Sequence, residues 1–344
     1  MSILVTGGTG FIGSHTSLLL LEKGFTLYIV DSEINSSKNV LKNISSILGF
    51  DDKTYMEKIK FFKGDIRDNF FLDKVFKIAK DKNEAIESVF HFAGLKSVLE
   101  SNKNPIEYWD NNFQGTLNLL KIMEKNKCKT LIFSSSATIY EPLNNKKIKE
   151  DNLFCPINTY GETKLTIEKL LYALFKSKPS EWKIANLRYF NPIGAHCSGK
   201  IGEDPKGDPN NIFPIILKVG KKEQETLKIF GKDWNTFDGT CIRDYIHIMD
   251  LAEGHIAAFK FIKKNKSQII SINLGTGNGH SVLELINAFQ KVNNINIPYE
   301  FTARRDGDNE YVVADNSLAL SLLDWEPKFS LNQMCKDGWN FGKD

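Results

Sequence analysis

The chain has 344 residues, 41% of them hydrophobic and 25% charged, with 45 basic against 42 acidic side chains and a net charge of +3. Such a composition belongs to a globular protein of one elaborated domain or two, without the basic excess of a nucleic-acid binder or an apolar run near the ~20 residues of a membrane span. Five scattered cysteines (Cys128, Cys155, Cys197, Cys241, Cys335) with no Cys-x-x-Cys pair argue for reduced thiols in a cytoplasm rather than a disulfide framework or a metal site, and the N-terminus leads straight into an apolar segment, so no signal peptide is expected.

Ile3-Leu4-Val5 predicts a short buried strand, and Ser14 to Leu21 a helix. Between them Gly7, Gly10 and Gly13 form Gly-x-x-Gly-x-x-Gly. In that strand-to-helix setting the first glycine permits a tight turn, the second lets a pyrophosphate approach the backbone, and the third lets helix and strand pack closely. The helix start offers free N–H groups to phosphate. Phe25 to Val30 reads as a second strand ending at Asp31, eighteen residues beyond Gly13, where a carboxylate accepts from a ribose 2′-hydroxyl and repels a 2′-phosphate. The pattern favours NAD over NADP.

Strand and helix signals then alternate. A polar segment runs to about Tyr55, and a strand at Lys60–Lys63 leads into Gly64-Asp65-Ile66. A helix follows from about Asn69 to Lys80, then a strand from Ser88 to Phe92 delivering Ala93-Gly94-Leu95-Lys96. A long helix spans about Glu107 to Lys125, and a fifth strand, Thr130 to Phe133, ends in Ser134-Ser135-Ser136. After a lysine-rich loop, Asn144 to Glu150, a helix runs from Tyr160 to about Phe175, followed by a strand at Lys183–Arg188. This alternation predicts an α/β protein with a doubly wound parallel sheet. Beyond Asn191-Pro192 the regular texture is lost, which puts the main boundary near residue 190; a strand–helix–strand texture returns between Arg243 and Leu274.

Tyr160 and Lys164 lie four apart, on one face of the predicted helix. That spacing alone is common on surface helices; behind a dinucleotide turn and a serine-rich strand end it suggests acid–base chemistry. An ammonium and an oxidised nicotinamide both favour phenolate, and bringing a phenol of pKa ≈ 10 near neutrality takes about 4 kcal/mol. Ser136 is placed to hydrogen-bond the same substrate hydroxyl.

These segments, together with His91-Phe-Ala-Gly-Leu-Lys96, Leu187-Arg-Tyr-Phe-Asn-Pro192, Gly202-Glu-Asp-Pro205, Pro209-Asn-Asn211, Arg243-Asp-Tyr-Ile-His247, Asn273-Leu-Gly275, Arg304-Arg305 and Gly307-Asp308, resemble the extended short-chain dehydrogenase/reductase superfamily. Within it the chain is most similar to the UDP-glucose 4-epimerase family, whose motifs occur in order over nearly its whole length. The resemblance implies a Rossmann-type NAD domain (1–190, with the chain returning around 240–275) and a smaller, discontinuous mixed α/β domain (191–344) for a UDP-sugar. The implied reaction interconverts UDP-glucose and UDP-galactose: Tyr160 exchanges the C4-hydroxyl proton, hydride passes to NAD and back, and a 4-keto sugar turns over in between. Lys164 would also bond the nicotinamide ribose, and Ser136 orient the hydroxyl.

For NAD the implied positions are Gly7, Gly10, Phe11, Ile12, Gly13, Asp31, Asn35, Ser36, Asp65, Ile66, Phe92, Ala93, Gly94, Leu95, Lys96, Asn111, Tyr160, Lys164 and Phe190. For the sugar nucleotide they are Ser136, Asn191, Asn211, Ile212, Phe230, Arg243, Arg305, Asp308 and Val312, with the arginines suited to diphosphate. His91, His247 and His280 are read as structural. A homodimer through Glu107–Lys125 and Tyr160–Phe175 is also implied. Two positions depart from the family: Glu141 stands where glycine is usual, and Val312 where UDP-glucose-restricted members carry tyrosine. The smaller Val312 would leave space for a C2 N-acetyl group. Rival readings are a UDP-sugar dehydratase or decarboxylase of the same superfamily and a non-catalytic NAD(H)-binding regulator. The dehydratase's Asp-Glu is replaced by Ala137-Thr138, and a regulator would have no need of Tyr160 and Lys164.

Overall fold

The computed structural model describes residues 1–143, 145–207, 209, 211–305 and 307–343. Asn144 of the lysine-rich loop and Asn210 of the Pro209–Asn211 motif lie outside the described residues.

Thirteen strands occur among the described residues. They are β1 (Ser2–Thr6), β2 (Thr26–Asp31), β3 (Ile59–Lys63), β4 (Ile86–His91), β5 (Thr130–Ser136), β6 (Lys183–Tyr189), β7 (Asn191–Ile193), β8 (Leu227–Phe230), β9 (Ile242–His247), β10 (Gln268–Leu274), β11 (Gly279–Ser281), β12 (Tyr299–Thr302) and β13 (Tyr311–Val312). Seven build one parallel sheet in the order β10-β6-β5-β4-β1-β2-β3. Its strands are near-continuous apolar runs because helices cover both faces. The strand order reverses between β1 and β4, which opens a crevice at their carboxyl ends.

The helix Phe11–Glu22 is buried from Gly13 to Leu21. Its leucine run needs cover on every side, and the helix Ile248–Lys264 packs across it and supplies that cover. A third apolar core gathers Phe213, Ile216, Tyr245, Phe289 and Met334. There β9 is paired with β7, β11 and β13, while β8 and β12 pair separately.

Two predicted elements differ from the structure. The stretch expected to be irregular up to about Tyr55 instead holds one helix, Asn39–Leu48, and the start of a second, Asp52–Lys58. Leu41 and Ile44 are the buried stripe of the first, obscured in the sequence by interleaved Ser, Asn and Lys, and Asp51 caps the second by accepting from Thr54 N–H at 2.7 Å. The helix expected over Glu107–Lys125 is not uniform: Pro105–Tyr108 passes into a π-helical turn, Trp109–Gln114, before Gly115–Lys125. The wider turn swings Asn112 inward, and the site uses it.

Candidate active site

The glycine turn is held against its neighbours by backbone alone. Gly7 has φ +68°, and a Cβ there would lie 2.6 Å from the Ala93 nitrogen; a Cβ on Gly13 would lie 2.1 Å from the Gly7 oxygen. The carboxylate of Asp31 is oriented by Thr9 N–H at 3.1 Å, Glu33 N–H at 2.8 Å and the Ser36 hydroxyl at 3.0 Å. Asp65 follows β3 and takes a forked interaction from Arg67, which holds its carboxyl below the usual range. Phe92 and Ala93 both donate to the Thr6 carbonyl, and Asn112 clamps Leu95 by accepting from its N–H at 2.7 Å and donating to its carbonyl at 3.0 Å. Asn112 is therefore a site residue missed in the sequence reading. Its signal was hidden because a regular helix would turn the side chain elsewhere.

Ser136 ends β5 and turns into a 3-10 segment, Ala137–Ile139, which it caps by accepting from Thr138 N–H at 3.2 Å. Asn158 caps the helix Thr159–Ser177 through Gly161 N–H at 2.8 Å, and a Cβ at Gly161 would lie 2.6 Å from the Thr138 carbonyl. That close approach brings Tyr160 beside Ser136. Lys164 Nζ donates to the Ser134 carbonyl at 2.8 Å and lies 5.7 Å from the centre of the Tyr160 ring.

Burial pushes the Tyr160 phenol up to about 12, opposed by its hydrogen bond with Ser136. It pulls the Lys164 ammonium down to about 8, opposed by Glu168. Desolvation is the largest cause of both shifts and disfavours the charged form of each group.

Behind this pair lies a buried network of one ion pair and its hydrogen bonds. Arg188 forks onto Glu168 with Nη2···Oε2 at 2.6 Å and donates to the Tyr140 hydroxyl at 2.7 Å, while Ser135 donates to Glu168. Tyr140 in turn donates to Asn273 on β10 at 2.7 Å. Its marks in the sequence are a carboxylate one turn beyond Lys164 and the motif positions Ser135, Arg188 and Asn273, whose meeting no local pattern shows.

On the other side, Asp308 sits between two guanidinium groups: Arg305 Nη2 at 2.8 Å and Arg243 Nη2 at 3.8 Å. Arg305 lies 5.2 Å over the Phe230 ring. Val312 pairs in register with Arg243 and packs on the cluster of Ala137, Ile139 and Phe190, next to Ser136.

One cavity of about 1050 Å³ joins the glycine turn, the Ser136–Tyr160–Lys164 group and the Asp308 cluster. The turn residues Gly7, Gly10, Phe11, Ile12 and Gly13 line it with Asp31, Asn35, Ser36, Asp65 and Ile66. So do Phe92 to Lys96, Asn111, Ser136, Tyr160, Lys164 and Phe190. Asn191, Asn211, Ile212, Phe230, Arg243, Arg305, Asp308 and Val312 complete the wall. Glu141 lines it as well, while the two positions after Ser136 hold no carboxylate.

His91 lies between the Thr6 and Thr116 hydroxyls at 2.7 and 2.8 Å, and no cluster of metal-binding side chains occurs among the described residues. No described helix is long and apolar enough to cross a membrane. A bare-backbone cradle at a helix N-terminus, an oriented carboxylate after the second strand and a Tyr-x-x-x-Lys pair at the switch point define an enzyme of the extended short-chain dehydrogenase/reductase class.

The family model described as GDP-mannose 4,6 dehydratase matches residues 4–338. The UDP-glucose 4-epimerase of Dictyostelium discoideum is 45% identical over 339 residues, covering 98% of this chain and 95% of the relative. The crystal structure of a UDP-glucose 4-epimerase from Bifidobacterium longum in complex with NAD+ and UDP superposes with a TM-score of 0.92 at 43% identity, covering 99% and 98% of the two chains. The enzyme from Stenotrophomonas maltophila with bound NAD and formylated UDP-arabinopyranose gives 0.92 at 42% identity, covering 99% and 97%. Within the broad family of that model, the chain belongs to the UDP-glucose 4-epimerases.

Proposed function

We propose that this chain is an NAD-dependent 4-epimerase that interconverts UDP-glucose and UDP-galactose through a 4-keto sugar, with Tyr160 as acid and base. The observation carrying the reading is the convergence of Tyr160, Lys164 and Ser136 in the same cavity as the glycine turn and the Arg243–Asp308–Arg305 cluster. The residues fit a dinucleotide: the cradle excludes side chains at Gly7 and Gly13, and Asp31 presents a held acceptor. NAD+ held there would supply a positive ring charge that favours phenolate and a reversible acceptor for the C4 hydride.

The chain's own groups do the rest. Ser136 holds the C4 hydroxyl, Tyr160 takes its proton and later gives it back, and Lys164 keeps positive charge beside the phenolate. Arg243 and Arg305 pair with diphosphate oxygens, which fixes the nucleotide while the keto sugar turns to present its other face. Residues 1–190, with the chain returning around 240–275, form the cofactor half in this scheme, and the rest of 191–344 holds the sugar nucleotide.

Val312 in place of a bulky side chain supports a further reading, acceptance of UDP-N-acetylhexosamines. Exposed Ile106 (83%), Trp109 and Tyr172 on the helices flanking the cofactor half support a homodimer. The reduced, unpaired cysteines are consistent with a cytoplasmic location.

Purified protein given UDP-galactose without added NAD is expected to accumulate UDP-glucose to a constant ratio. Absence of conversion would favour a nucleotide-sensing regulator, and formation of a dehydrated or decarboxylated product would favour the other enzymes of the class.

A further inference from the structure

A segment joining the two halves of the cavity contains an acid to which no role has been given. Ile201 is fully buried in the core beneath the glycine turn. Around it, Asn43 donates to the Lys200 carbonyl at 2.9 Å, Lys200 Nζ to Ser46 at 2.8 Å, and Lys206 Nζ to the Glu33 carbonyl at 2.8 Å. These bonds tie the segment to residues 33–46, just beyond Asp31 on the cofactor side. A few residues later Asn211 opens the helix Ile212–Gly220, whose buried face belongs to the other core.

Glu203 stands between these anchors with a side chain only 6% exposed. Its Oε1 accepts from Lys96 Nζ at 2.9 Å and from Asn211 Nδ2 at 3.1 Å. Two residues assigned to different ligands thus share one carboxylate oxygen. Asn211 occupies a helix N-cap position and makes no side-chain cap bond, while its Nδ2 donates to Glu203. With Nδ2 engaged, its Oδ1 is left as the acceptor for a ligand donor. A nearly buried carboxylate cannot lose a donor without cost, so drawing Lys96 toward one ligand changes the hold on Asn211, which faces the other.

We infer that Glu203 is a positioning residue that couples occupancy of the cofactor half to binding in the sugar-nucleotide half, by holding Lys96 and Asn211 on one carboxylate. The inference rests on the assignments of Lys96 and Asn211 in the proposed function. It is tested on the full chain carrying its dinucleotide, with UDP as the probe. Calorimetry gives UDP affinity, and the dinucleotide surviving repeated gel filtration gives retention.

Glu203→Gln is expected to weaken UDP binding and to speed dinucleotide loss, each about tenfold. Lys96→Met, at a residue assigned to the cofactor alone, is expected to weaken UDP binding about fivefold and to add nothing on the Glu203→Gln background. Unchanged UDP affinity in Lys96→Met, additive effects in the double variant, or a change confined to one ligand overturns the inference. If Glu203→Gln does not fold, the UDP affinity of Lys96→Met decides alone. A parent chain that binds neither UDP nor dinucleotide overturns the proposed function instead.

Discussion

Replacing Glu168 by glutamine strips the Arg188 guanidinium of its counter-ion in a place water does not reach. The two side chains are each 4% exposed, and Arg188 loses the charged end of contacts at 2.6, 3.0 and 3.2 Å. It keeps two neutral acceptors, the Tyr140 hydroxyl at 2.7 Å and the Glu150 carbonyl at 3.0 Å. Breaking a buried pair on one side typically costs 3–5 kcal/mol, and the two surviving bonds put this case at the low end, about 3 kcal/mol. For a chain of this size that is a fall of about 4 °C in Tm, read by circular dichroism at neutral pH. Glu168→Gln combined with Arg188→Met removes both charges and should regain at least half the loss, because burying an ion pair is itself unfavourable. A single Glu168→Gln variant melting within about 1 °C of the parent would refute the assignment of this pair as a desolvated structural tie.

Three further outcomes follow from the same geometry. His15 and His91 are lowered by burial to about 3 and His255 to about 4. Unfolded histidine protonates near 6.5, so between those values the unfolded chain binds more protons. Their contribution is present above pH ~6.5 and is lost on acidification at about 1.4 kcal/mol per pH unit for each histidine. Tm should fall from pH 6.5 to 5, with His91→Gln reducing proton uptake on unfolding by about one; a flat profile contradicts this.

Gly13→Ala forces a methyl into the Gly7 carbonyl at 2.1 Å, with rigid backbone on both sides. The variant should lose about 3 kcal/mol of stability and its bound dinucleotide together. Retained dinucleotide, measured after gel filtration, would contradict the cradle. Val312→Tyr should suppress turnover of UDP-N-acetylglucosamine while sparing UDP-glucose in a substrate panel; equal loss of both would remove Val312 from specificity.

The seven-stranded sheet was legible because each of its strands is a short apolar run ending at a turn signal. The glycine cradle was legible because its spacing carries its own geometry. Three things were not. A helix interrupted by a π-turn looks uninterrupted in sequence, so the inward swing of Asn112 was invisible while Asn111 beside it was named. The extent of burial at Tyr160 was also hidden, because no local pattern reports it; it pushes the phenol up to about 12 in the folded chain. Arg188 and Glu168 are far apart in sequence and meet only because the helix Thr159–Ser177 crosses β5 and β6. Such pairs follow from tertiary packing.

The most direct measurement is the rate of UDP-galactose conversion by Tyr160→Phe, a change that deletes one hydroxyl and preserves the ring. The expected result is a loss of about 10³-fold in turnover with UDP affinity and dinucleotide content retained. Conversion at the parent's rate would contradict the central role given to this phenol.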